Sequence, residues 1–151
     1  MRITFVCTGN TCRSPMAEAL LADRLKQSSL DVTVQSRGLS VHSNETMSPK
    51  ACEALSAHGI DGFCHDAVQL SKGDIDESDI VLTMTQQQKR QLIRLYPGDR
   101  YKLFTLGEYA SDSLDDITDP FGKSQVFYNF CCSEIAALVD LLFDEIKEQM
   151  S

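Results

Sequence analysis

Short runs of β-branched and aromatic residues alternate along this chain with stretches whose apolar positions recur at helical spacing. Ile3, Phe5 and Val6 predict a buried strand over Arg2 to Val6. Ser14 then supplies a helix N-cap and Pro15 a first helical position, for a helix reaching about Gln27 with Ala17, Leu20, Leu21 and Leu25 as its core stripe. A second strand, Val32 to Ser36, is ended by Arg37-Gly38, and Ser48-Pro49 starts a helix that stops at Gly59. Ser71 opens a short helical turn. Asp79 to Met84 is an apolar third strand, and Thr85 with Gln88 has capping-box spacing before a helix to Leu95 closed by Pro97-Gly98. Lys102 to Leu106 reads as a fourth strand and Ser124 to about Gln149 as a long amphipathic helix. The intervening Gly107 to Lys123 reads as a loop, and loops of that length in a small domain usually serve a function.

Strands separated by helices predict an α/β fold: a small doubly wound, flavodoxin-like, four-stranded parallel sheet with helices on both faces. The length of 151 residues fits one domain over the whole chain. In such sheets ligands bind beyond the carboxyl ends of the strands, and the residue after Val6 is Cys7.

Charge narrows the partners. Acidic residues outnumber basic ones by 22 to 14, a net charge of -8. That disfavours nucleic acid and biases encounters towards basic protein surfaces. The apolar run at Met1 to Val6 is too short for a signal peptide, and no stretch reads as the roughly 18 continuous apolar residues of a membrane span. A cytoplasmic monomer without membrane attachment is the expectation. Six cysteines, at 7, 12, 52, 64, 131 and 132, then lie in a reducing compartment, and without C-x2-C pairs or clustered histidines they predict no metal site.

The chemistry concentrates in Cys7-Thr8-Gly9-Asn10-Thr11-Cys12-Arg13-Ser14-Pro15, which joins the first strand to the first helix. A helix N-terminus offers unpaired N–H groups and partial positive charge, and Gly9 and Asn10 permit the positive φ that curls amides into an anion nest. Cys7 faces that nest, which favours a thiolate. Arg13 returns to the same anion with a fork that matches two phosphoryl oxygens, and Ser14 can donate to the Cys7 sulfur. The absence of a G-K-[ST] sequence excludes a Walker loop.

The run Val6 to Glu18, together with Asp119-Pro120-Phe121-Gly122, resembles the low-molecular-weight protein tyrosine phosphatase family, and within it the bacterial protein-arginine phosphatases. The resemblance implies Cys7 as nucleophile, Arg13 as phosphate clamp and Asp119 as general acid. Thr8, Gly9, Asn10, Thr11, Cys12, Ser14 and Phe121 would bind phosphate or substrate, and Ser36 and His65 would support the loop from behind. Arg37 departs from the pattern, since many relatives carry Ala after the equivalent of Ser36. No metal or cofactor is needed where a thiolate attacks and Arg13 neutralises charge.

Thr11 in place of an apolar residue, and Phe121-Gly122 in place of a Tyr-rich wall, rank phosphoarginine in proteins first and phosphotyrosine second. An arsenate reductase is disfavoured because Thr83 to Gln88 holds no cysteine pair. A non-catalytic phosphate-binding module is disfavoured because Cys7, Arg13 and Asp119 are all present. Cys12, five residues from Cys7, is a candidate resolving thiol for reversible oxidation of the nucleophile.

Overall fold

The first strand places alternate side chains on opposite sides of a sheet, and this alternation organises the whole structure. In the computed structural model, which describes residues 1–151, β1 (Arg2–Cys7) sends Ile3, Phe5 and Cys7 into one apolar core and Val6 into another. It pairs in parallel with β2 (Thr33–Gly38) on one side and β3 (Ile80–Thr83) on the other. β3 in turn pairs with β4 (Leu103–Thr105), giving the all-parallel order β2-β1-β3-β4.

The larger core lies beneath α1 (Arg13–Lys26), α2 (Pro49–Ala57), α5 (Leu106–Ser111) and α6 (Gln125–Met150). The smaller core, Val6, Leu70, Ile75, Val81, Leu92 and Leu103, is covered by α3 (Lys72–Glu77) and α4 (Gln86–Leu95). Helices therefore cover both faces, as the alternation of elements predicts. The sheet reverses its winding at β1, so the crevice beyond Cys7 is the place where a doubly wound sheet opens to a ligand.

Five expectations need correction. Ser14 is not the N-cap of α1: Cys12 holds that position without a side-chain hydrogen bond, and the buried Ser14 lies inside the first turn with its hydroxyl turned to Cys7. β2 runs on through Arg37 to Gly38, because Gly38 still pairs with Cys7. Between Pro97 and Lys102 the chain forms a 3-10 turn, so β4 starts only at Leu103.

The presumed loop begins with helix α5, which has a complete capping box. The Thr105 hydroxyl accepts from the Glu108 N–H and Glu108 reaches back to the Thr105 N–H. This helix stops at Asp112, whose φ of 56° is left-handed. The boxes at Ser71/Asp74 and Thr85/Gln88 start α3 and α4 in the same way.

By length and mean hydropathy α6 does match a membrane span, which revises the reading that no stretch does. Its apolar residues have another use. Tyr128, Cys131, Cys132, Ile135, Val139, Leu142, Phe143 and Ile146 are buried against the rest of the larger core.

Candidate active site

The segment from Cys7 to Arg13 wraps around the end of β1 and forms the floor of a cleft of about 470 Å³. Asn10 makes the wrapping possible. Its φ of 58° is left-handed, a conformation Asn tolerates better than most residues. Its fully buried side chain uses every hydrogen-bonding position it has. Nδ2 donates to Ser14 Oγ at 2.8 Å and to Ser36 Oγ at 3.0 Å. Oδ1 accepts from the Val68 N–H at 2.8 Å and lies 2.7 Å from His65 Nε2.

Ser36 passes this support on to Glu18, donating to Oε1 at 2.8 Å. Gly38 fits beneath the loop because it has no side chain; a Cβ there would lie 2.9 Å from Asn10 Cβ and 3.0 Å from the Thr8 carbonyl.

Two groups address the sulfur. Ser14 Oγ lies 2.9 Å from Cys7 Sγ, and the Asn10 N–H donates to that sulfur at 3.3 Å. The sulfur thus has a hydroxyl and a backbone N–H as polar neighbours. Cys7 itself is only 3% exposed, so a reacting group must come down into the loop to meet it.

Arg13 is anchored across 104 residues, with Nη1 donating to the Ile117 carbonyl at 2.9 Å. Its Nη2 lies 3.5 Å from Asp119 Oδ2, and the two side chains are 6% and 51% exposed. The segment carrying Asp119 is fixed in turn by the Ile117 N–H donating to the Met84 carbonyl at 3.0 Å. The Phe121 N–H donates to Asp119 Oδ1 at 3.1 Å, a local turn that aims the carboxylate over the cleft.

Cys7, Thr8, Gly9, Asn10, Thr11, Cys12, Arg13, Asp119 and Phe121 thus line one cleft, with Ser14, Ser36 and His65 behind it. Arg37 turns the other way. Its guanidinium donates to Asp74 Oδ2 at 3.1 Å, to the Ser36 carbonyl at 2.8 Å and to Gln35 Oε1 at 3.0 Å. Ser36 and Arg37 are neighbours on a strand and point to opposite faces, so the arginine leaves the loop support intact.

Sequence reasoning missed several contributors. Gln88 caps α4, and its Nε2 also donates to Thr8 Oγ1 at 3.1 Å. Glu18 anchors Ser36. The far wall of the cleft, including Ser40, His42, Glu45 and Ser48, is tied to the loop by the Ser40 N–H on the Thr8 carbonyl and the Ser48 N–H on the Thr11 carbonyl. Only the capping spacing of Thr85 and Gln88 could have pointed to one of these in the sequence.

Cys12 is buried, and its thiol is pushed well above the ordinary range by a hydrogen bond with Cys131 and by burial, with Cys7 and Asp119 nearby adding to the effect. Oxidative capture by Cys12 then draws on a scarce thiolate. Under peroxide we expect Cys7 to lose reactivity and dithiothreitol to restore it, more slowly than for an exposed thiol pair. Peptide mapping checks this: irreversible Cys7 sulfonic acid without any linkage to Cys12 contradicts it.

Burial holds the His65 imidazole below its ordinary value of 6.5; Glu18 and Asp66 oppose the shift and Arg37 reinforces it. The folded chain therefore prefers the neutral ring. As pH falls below 6.5 the unfolded chain gains this proton first, so the stability present above that value declines until the folded ring also protonates. Thermal melts from about pH 7 to about pH 5 should show a steeper loss for the wild type than for His65→Gln. Parallel profiles contradict the assignment.

A thiol in an anion-binding loop at the end of the first strand of a doubly wound sheet, with an arginine beneath and a carboxylate above, defines a cysteine-dependent phosphatase. The family model described as low molecular weight phosphotyrosine protein phosphatase matches residues 2–151. A protein-arginine-phosphatase from Bacillus subtilis (strain 168) is 39% identical over 148 residues, 98% of each chain. The low molecular weight protein-tyrosine-phosphatase PtpB of Staphylococcus haemolyticus is 40% identical over 142 residues, 94% of this chain and 97% of that one.

The structure is also similar to that of the YwlE arginine phosphatase in a C7S mutant with a phosphorylated active-site serine. The TM-score is 0.93 at 39% identity, covering 97% of this chain and 96% of that one. The chain belongs to the low molecular weight phosphotyrosine protein phosphatase family, and it is a hydrolase of that class.

Proposed function

We propose that the enzyme removes the phosphoryl group from phosphoarginine in proteins by way of a phosphoenzyme on Cys7. The observation that carries the catalytic part is the convergence of Ser14 and the Asn10 N–H on the Cys7 sulfur, with Arg13 and Asp119 paired in the same cleft.

In the first step the Cys7 thiolate attacks phosphorus while the bond from phosphorus to the leaving nitrogen breaks. The protonated carboxyl of Asp119 gives its proton to that nitrogen, so arginine departs as guanidinium. Arg13 and the loop N–H groups hold the oxygens on which charge gathers. In the second step the Asp119 carboxylate takes a proton from water as the water oxygen attacks phosphorus. The sulfur–phosphorus bond breaks, and the sulfur leaves as a thiolate stabilised by Ser14 and the Asn10 N–H. Phosphate is released and the enzyme is restored.

The substrate assignment rests on Thr11, half-buried and lining the cleft, and on Phe121, 81% exposed at its mouth. The Thr11 hydroxyl and the carbonyl oxygen of the Asp119 carboxyl suit a planar hydrogen-bonding guanidinium, and Phe121 offers a flat face on which it stacks. The relatives named above as protein-arginine phosphatases support this reading, and the one named as a tyrosine phosphatase supports phosphotyrosine as the alternative.

Thr11→Ile separates the two. Loss of a hydrogen bond to a charged group, worth about 1.5–3 kcal/mol, should lower kcat/KM for phosphoarginine by roughly tenfold to a hundredfold while raising it for phosphotyrosine. Equal losses on both substrates would show that Thr11 serves the loop and not selectivity. The same reading makes the enzyme a monomer acting in the cytoplasm on phosphorylated proteins.

A further inference from the structure

Two thiols outside the cleft share a small cavity of their own. Cys52, half-buried on α2, and Cys64, the one exposed cysteine of the chain, both line a space of about 480 Å³ with Met47, Leu55, Ile60 and Phe63. The Cys52 thiol donates to the Phe63 carbonyl, with Sγ 4.0 Å from the oxygen. That oxygen belongs to the peptide bond leading into Cys64, and a carbonyl oxygen lies about 3 Å from the next Cα. Cys52 Sγ is thus within about 7 Å of the Cys64 Cα before anything moves. Burial pushes the Cys52 thiol up, and charge on Cys64 pushes it the same way, as sulfurs close in space require.

The turn between them is open. After α2 ends at Ala57, Gly59 and Gly62 take left-handed φ values of 82° and 75°, with no neighbouring atom within 4 Å of where a Cβ would stand. A disulfide needs its Cα atoms about 4.4–6.8 Å apart, and a shift of Cys64 towards α2 supplies that.

Such a shift reaches the catalytic loop through the next residue. The His65 ring stacks on Phe63, with centroids 6.4 Å apart, and its Nε2 lies 2.7 Å from Asn10 Oδ1. Asn10 in turn presents its N–H to the Cys7 sulfur. Cys64 therefore adjoins the support of the nucleophile without being part of it.

We propose that Cys52 and Cys64 are a second redox-sensitive pair, separate from Cys7 and Cys12, whose disulfide slows the enzyme by drawing His65 away from Asn10. Hydrogen peroxide is the oxidant. The exposed Cys64 thiolate attacks one peroxide oxygen, the O–O bond breaks, and the other oxygen leaves as hydroxide and takes the thiol proton as water. The Cys52 thiolate then attacks the Cys64 sulfur of the sulfenic acid. The sulfur–oxygen bond breaks, and hydroxide leaves with the Cys52 proton as a second water. The two thiols lose two electrons and the peroxide gains them. In a reducing compartment the pair rests as thiols, so the disulfide is a transient response and not a staple.

Peptide mapping of peroxide-treated Cys7→Ser protein reads the bond without the nucleophile, and a Cys52–Cys64 linkage that dithiothreitol cleaves is expected. For turnover, wild type, Cys64→Ser and Cys52→Ala are oxidised while saturating inorganic phosphate occupies the Cys7 loop. They are then freed of peroxide and phosphate and assayed with phosphoarginine and with an aryl phosphate. Before oxidation all three should turn over alike, because neither thiol lines the cleft. Afterwards the wild type should lose about twofold to tenfold in kcat relative to both variants, the scale of one lost hydrogen bond, and regain it with dithiothreitol. Should Cys52→Ala loosen the packing around it, the surface variant Cys64→Ser carries the comparison. Cys64 recovered as sulfonic acid with Cys52 free overturns the proposal. So does a linked wild type that turns over as fast as oxidised Cys64→Ser.

Discussion

Replacing Cys7 with serine is expected to lower steady-state turnover by at least about 10³-fold while leaving the fold intact. The loop is built around a polarisable sulfur that Ser14 Oγ approaches at 2.9 Å and the Asn10 N–H at 3.3 Å. A serine hydroxyl stays protonated in these surroundings and attacks poorly. Should it be phosphorylated, the alkoxide is a far worse leaving group than a thiolate, so the second step stalls. The similar YwlE C7S mutant with its phosphorylated active-site serine agrees with such a stall. Mass spectrometry of Cys7→Ser after long exposure to substrate should therefore find one slowly added phosphoryl group and almost no released phosphate. A variant that keeps a tenth or more of wild-type turnover contradicts the mechanism.

Asp119→Asn should have the next largest effect. General acid catalysis is worth about 10²–10⁴-fold, and Asn can hydrogen-bond to the leaving nitrogen but cannot give it a proton. The loss should fall on kcat, with tungstate or vanadate still binding, because Arg13 and the loop amides remain. One compensating effect is expected. Asp119 Oδ2 lies 3.5 Å from Arg13 Nη2, so removing its charge frees the guanidinium for the phosphate, and anion affinity should rise slightly as turnover collapses. Anion competition and single-turnover rates read the two effects separately. Unchanged kcat with weakened anion binding would make Asp119 a binding residue and not the acid.

How much of this was legible in the sequence depended on the range over which each feature is determined. Strands and helices set by local alternation were placed well. The box at Thr85 and Gln88 is fixed within four residues and started α4 as expected. The equivalent box at Thr105 and Glu108 was equally local, but Lys102 to Leu106 reads as a strand, and that reading absorbed the threonine and hid α5.

Ser14 was misplaced for a different reason. Ser-Pro reads as a cap, yet the hydroxyl is drawn to the sulfur seven residues away, and the backbone of Cys12 begins the helix instead. In the site, the residues of the continuous motif were visible because one segment carries them. Glu18, Gln88 and the Ile117 carbonyl were not, since their contacts span 18, 80 and 104 residues and depend on the packed sheet. Arg37 looked like a disturbance only until strand alternation sent it to Asp74.

The phosphoryl group itself gives the most direct measurement of the central claim. Wild-type enzyme mixed with radiolabelled phosphoarginine and quenched within one turnover should carry the label on the peptide containing Cys7, at a rate no slower than steady-state release of phosphate. Release of labelled phosphate with no label ever passing through Cys7, or label appearing more slowly than phosphate is released, would contradict a Cys7 phosphoenzyme.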